Sequence, residues 1–163
     1  MEQILATVRS LDGALVLSPG PGSAFPELAW GDHFFYHAPD GVVPPGQPYG
    51  TVVTKDYPDD TASRLGAEGR WRVNVHVGRD RFRTLLGTDP RDGAASEVAE
   101  TDVVVPHPVY GALGWVAVVV PGERTPALVV DLLRAAHDDA RARAARRTAR
   151  WRRPPAACRR QRA

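Results

Sequence analysis

The stretch from Val105 to Val120, VPHPVYGALGWVAVVV, constrains this chain more than any other. Trp115 to Val120 is an uninterrupted apolar run of strand length. A strand with no polar side is buried on both faces, so it belongs inside a covered sheet. The segment feeding it holds His107, Pro108, Tyr110, Gly111 and Gly114. Prolines stiffen such a bend and glycines let it turn tightly, while an imidazole and a phenol give it polar, ring-shaped faces. This is the leading candidate for a site.

Other periodicities build a sheet around that strand. Trp71 to Val77 alternates, with Trp71, Val73, Val75 and Val77 on one side and Arg72, Asn74 and His76 on the other, as expected of a strand with one core face. Ala14 to Leu17, the aromatic-rich Asp32 to His37, Tyr49 to Thr54 and a short Val103 to Val105 read as further strands. Ile4, Leu5, Val8 and Leu11 follow the three-and-four spacing of a helix face, stopped at Asp12-Gly13. Phe82, Leu85 and Leu86 imply a short helix over Arg79 to Leu86. Thr125 as cap and Pro126 at the first helical position open a last helix, whose apolar face is Leu128, Val129, Leu132, Leu133 and Ala136. His137 falls on its charged side. The sum is an α+β fold: an antiparallel-rich sheet of five to six strands with N-terminal and C-terminal helices packed on one face. Function then belongs on the opposite face, where Asn74 and His76 would meet the Lys55 to Gly69 loop and the His107 loop.

A length of 163 residues suits one domain, here residues 1–145, with 146–163 as an Arg-rich tail, disordered or a frayed helix. Charge is divided unevenly along the chain. Residues 1–140 hold 11 basic and 19 acidic side chains, a net charge of −8, whereas 141–163 hold ten arginines and no acid, a net charge of +10. Such a block attracts polyanions, which makes Arg146, Arg147, Arg150, Arg152 and Arg153 candidate nucleic-acid contacts. The plainer alternative is a cationic helix end, favourable near the negative pole of its dipole. Cys158 is the lone cysteine, the N-terminus has no signal-like apolar run, and no run of membrane length occurs, so a reducing, cytoplasmic setting without a membrane partner is expected.

Familiar catalytic motifs do not account for the remaining chemistry. Pro19-Gly20-Pro21-Gly22-Ser23 lacks the lysine and spacing of a phosphate loop, and its prolines lack N–H donors. His33 and His37 would lie roughly 13 Å apart along a strand, too far to share a metal with bonds of about 2 Å. No cofactor or metal is expected. Two constellations stand out. Lys55, the only lysine, and Asp56 follow a strand and are candidates for charge stabilisation or, with a depressed lysine pKa, base catalysis; the alternative is a solvated turn. His107 with Tyr110 suits acid–base work or ligand orientation; the alternative is a stiff loop capping the core. His76, Asn74 and Trp115 are candidate ligand contacts.

The segments ALVLSPGPG, WGDHFFYHAPDG, YGTVVTKDYPDDTASRL, WRVNVHVGRDRF and VVVPHPVYGALGWVAVVVPGERT, in that order, resemble an actinobacterial family carried as a domain of unknown function. The resemblance covers about residues 1–145 and implies no activity; the chain departs from it from about Arg146. More distantly, a strand entered through a His loop and followed by a C-terminal helix is similar to the MmcQ/YjbR-like fold, which has been discussed in connection with DNA binding. The leading expectation is a small-ligand or partner-binding domain acting over His76, His107 and Lys55. The alternatives are an enzyme using His107 and Tyr110, and nucleic-acid binding through the tail.

Overall fold

The structure is a computed structural model and describes residues 1–92 and 98–151. In chain order the elements are α1 (Glu2–Arg9), β1 (Ala14–Leu17), β2 (His33–His37), β3 (Gly50–Val53), β4 (Arg72–His76), α2 (Gly78–Leu86), β5 (Val105–Pro106), β6 (Trp115–Val119) and α3 (Pro126–Trp151). Two single 3₁₀ turns, Glu27–Ala29 and Gly111–Leu113, interrupt the loops. The strands form one open sheet in the order β1-β2-β3-β4-β6-β5, with every neighbouring pair antiparallel.

The helices cover one face of this sheet. Val52, Val73, Val75, Val116 and Val118 from the strands join Leu5 and Val8 of α1, Phe82 of α2, and Val129 and Leu133 of α3 in one apolar cluster. Alternation dictates the rest: Val53, Ala117 and Val119 point to the other face and pack with Leu65 and Val98 from loops. All five residues of β6 are buried, as its continuous apolar sequence requires. The α+β fold with terminal helices on one face is therefore the observed one.

Details differ from the sequence reading. β5 is Val105–Pro106, displaced toward the His107 bend. Thr125 precedes α3 as expected, but its hydroxyl donates to Asp102 Oδ1 at 2.5 Å. The same carboxylate accepts the backbone N–H groups of Gly122, Arg124 and Thr125, so it holds the turn into α3. Those bonds, the Thr125 hydroxyl first among them, hold the Asp102 carboxyl well below the usual carboxylate range. His137 is not on a solvated side: it is 3% exposed, its Nδ1 lies 3.3 Å from the Tyr49 hydroxyl and its Nε2 2.9 Å from the Asp12 carbonyl oxygen. A helix residue that ties α3 to the entry of β3 and to the α1–β1 turn has a structural role. The last helix continues through Arg146 and Arg147, both exposed, whereas Arg152 and Arg153 lie outside the described residues, as do the Arg150 side-chain contacts.

At Gly50 a residue of α3 packs directly on the sheet. A Cβ added there would stand 2.8 Å from Leu133 Cδ2, 3.1 Å from Phe35 Cδ2 and 3.2 Å from the Asn74 carbonyl oxygen. Gly50→Ala is expected to cost about 1–3 kcal/mol through overpacking, measured by urea unfolding. Trimming Leu133 to Val should rescue it only in part, because the Asn74 backbone cannot yield; an unaltered midpoint for Gly50→Ala would show the packing to be looser than described.

Candidate functional site

On the face without helices lies a cavity of about 320 Å³. Its floor is made by strand residues that alternation sends to this side: Thr51 and Val53 of β3, Arg72 and Asn74 of β4, and Trp115 of β6. Phe34 and Tyr36 of β2, Gly46 to Pro48, Tyr57, Asp59 and Asp60, and His107, Val109 and Tyr110 form its walls.

The floor is a closed polar network around Arg72, which is only 2% exposed. Arg72 Nε donates to Asn74 Oδ1 at 2.8 Å. Its Nη1 donates to Asp60 Oδ1 at 3.0 Å and Ser63 Oγ at 2.7 Å, and its Nη2 to Asp60 Oδ2 at 2.5 Å. Asn74 in turn donates to Thr51 Oγ1 at 2.9 Å. The planar guanidinium fork matches the Asp60 carboxylate with two parallel bonds, which a lysine could not reproduce. A buried cation needs that partner, because unpaired it would cost several kcal/mol.

His107 stands beside this network, 4% exposed, with Nε2 3.4 Å from Arg72 Nη2. Its Nδ1 accepts the backbone N–H groups of Val109 and Tyr110, each at 3.1 Å, so the imidazole closes its own loop. The His107 ring lies 5.0 Å from Tyr110 and 6.3 Å from Trp115, centroid to centroid. Burial, reinforced by the Arg72 guanidinium and opposed by Asp60, pushes the His107 pKa down to about 3. The ring is therefore neutral near pH 7 and, with Nδ1 occupied as an acceptor, carries its proton on Nε2. Such a ring is a hydrogen-bond donor rather than a general base. The loop is anchored from the other end by Gly114, whose carbonyl oxygen accepts the N–H groups of Val77 and Gly78 at 3.0 and 3.1 Å. A Cβ on Gly114 would come within 3.0 Å of the Gly78 backbone, and its φ of +79° already favours glycine.

The structure brings together only part of the set singled out from sequence. His107, Tyr110, Asn74 and Trp115 share the cavity. His76 does not line it; its ring packs on Trp115 at 5.5 Å. Lys55 is turned away as well, donating to the Trp30 carbonyl oxygen and lying 3.4 Å from the fully buried Asp32. Asp32 also accepts from the Thr54 N–H and hydroxyl and from the Tyr57 hydroxyl, whose pKa is raised by burial and by that carboxylate. Asp56 accepts the N–H groups of Leu65 and Gly66 and shapes its loop. One cleft joining His76, Lys55 and His107 is not formed. Arg72 and Thr51, by contrast, were not singled out from sequence, and Asp60 entered only as the end of the Thr54 to Asp60 segment around Lys55. Their signal was an arginine between Trp71 and Val73 in a β-branched strand, with acids in the loop before it. Among the described residues no group of three or more His, Cys, Asp or Glu side chains is placed to hold a metal ion, and no helix is long and apolar enough to cross a membrane.

The depressed His107 pKa ties stability to pH. An ordinary histidine titrates near 6.5, so below that value the unfolded chain takes up a proton that folded His107 refuses. Stability is full above about pH 6.5 and is lost as pH falls toward 3, by up to about 1.4 kcal/mol per pH unit for this one group. Urea unfolding between pH 4.5 and 6 should show a slope shallower by about one proton in His107→Gln, while the other histidines with lowered pKa values keep their share. An unchanged slope would mean that His107 titrates freely.

Comparison with known sequences places this geometry in a family. No curated protein and no solved structure matches the chain. Residues 1–149 match the profile described as a family of unknown function, DUF6194. That span includes all six strands and every residue of the cavity, and the chain belongs to this family.

Proposed function

We propose that this chain is a small-molecule-binding domain of the cytoplasm, with the cavity on the helix-free sheet face as its site. The observation that carries the reading is the pairing of buried polar groups, Arg72, Asn74 and His107, with the aromatic rings of Phe34, Tyr36, Tyr110 and Trp115 around one cavity. Small-ligand sites combine these features: apolar ring surfaces contribute affinity while a few fixed polar atoms set orientation. A volume of about 320 Å³ holds a compact ligand of one or two rings. An acid–base enzyme built on His107 is less well supported, because its Nδ1 is occupied and its depressed pKa makes the ring a weak base.

A metabolite panel screened by thermal shift tests this. A true ligand at about 100 times its Kd adds about 2.7 kcal/mol, or roughly 5–10 °C for a domain of this size. Tyr110 is 42% exposed, so Tyr110→Ala should fold while losing most of that shift. Recovery of the ligand unchanged by mass spectrometry supports binding, whereas its conversion supports an enzyme. A shift of equal size in Tyr110→Ala would move the ligand elsewhere.

A further inference from the structure

The two donors at the base of the cavity define what its ligand must present. Four of the five N–H groups of Arg72 are met by Asn74, Ser63 and the two oxygens of Asp60. The fifth, on Nη2, faces His107 Nε2 at 3.4 Å. Because Nδ1 of that ring already accepts two backbone N–H groups, Nε2 bears the hydrogen. Two N–H groups facing each other cannot satisfy one another, and both belong to side chains that are at least 96% buried. They call for an oxygen or nitrogen acceptor reachable by both, since an unmet buried donor carries the full cost of its desolvation.

Charge narrows the choice. The guanidinium is balanced by Asp60 in a bidentate pair, and Asp59 also lines the cavity. A carboxylate would meet no surplus positive charge and would stand near two acids, while a cation would present donors to donors. Walls of aromatic rings favour a flat body.

We propose that the cavity selects an uncharged, planar ring compound whose carbonyl oxygen accepts from His107 Nε2–H and Arg72 Nη2–H together. This inference rests on the reading of the cavity as a ligand site and specifies its ligand class.

Three probes of one shape and different charge test it: benzamide, benzoate and benzamidine, titrated into the isotope-labelled full chain at pH 7 and followed by NMR. Benzamide should bind with about millimolar Kd, as its few atoms allow. It should move the His107 imidazole ¹⁵N signals and bind at least about tenfold more tightly than either charged analogue, which would have to bury an unmatched charge. In the free protein the same spectra should show His107 protonated on Nε2 and not on Nδ1. Asp60→Asn leaves the Arg72 charge unbalanced and should shift preference toward benzoate.

Tighter binding of benzoate or benzamidine by the unaltered chain overturns the class while leaving the cavity a ligand site. A His107 proton on Nδ1 overturns the two-donor argument in the same way, and so does an Asp60→Asn variant that folds and keeps the original order. Absence of any shift at cavity residues with all three probes overturns both this inference and the reading beneath it.

Discussion

A guanidinium can be kept inside a sheet only if acceptors meet its N–H groups, and on the helix-free face of this chain Arg72 imposes that demand. Water would otherwise solvate the cation, and the penalty for withdrawing it is several kcal/mol. Asp60 and Ser63 answer from the loop between β3 and β4, Asn74 from the same strand two residues on, and Thr51 supports Asn74 from the neighbouring strand. The loop is thereby drawn over the sheet, where Leu65 covers Val53 and Ala117 in a second apolar cluster. Both the cover and the cavity beside it follow from satisfying one side chain in β4. Breaking such a pair from one side leaves an uncompensated buried charge, so the ion pair and the loop's position stand or fall together.

The other face obeys simpler rules. Valines on β3, β4 and β6 meet leucines and a phenylalanine from three helices, and Gly50 lets α3 come close. Among its polar groups is His137, which joins α3 to Tyr49 and to the Asp12 carbonyl. One side of the sheet thus carries stability through burial, while the other sacrifices uniform packing to hold fixed donors and acceptors in a recess.

This division explains which parts were legible in the sequence. Helix faces and strand alternation are local patterns, and they place α1, β4, β6 and the start of α3 within a residue or two, because burial has period 3.6 or 2 whatever the distant partner; the end of α3, which runs on to Trp151, carries no such pattern. His107 and Tyr110 were legible because prolines and glycines mark their bend. Arg72 was not: arginine is exposed by default, and the acceptors of its two Nη groups, Ser63 and Asp60, lie 9 and 12 residues away in a loop with no periodicity. Lys55 misled for the complementary reason. Its rarity drew attention, but its partners Trp30 and Asp32 lie more than twenty positions earlier in the chain and meet it only through the β2–β3 pairing. His137 misled because a helical wheel shows angle but not the Tyr49 hydroxyl waiting at the entry to β3.

Gly114 anchors the His107 loop to the junction of β4 and α2. Neither Gly114 nor Gly78 lines the cavity, yet the carbonyl of one receives two N–H groups at the other, and their backbones approach too closely for any side chain at 114. The position of the His107 loop and the seating of α2 against β6 are thus joined through a pair of residues with no side chains. In a mutational map of binding, position 114 would score like a ligand contact while acting only as the pivot on which the donor-bearing loop is hung.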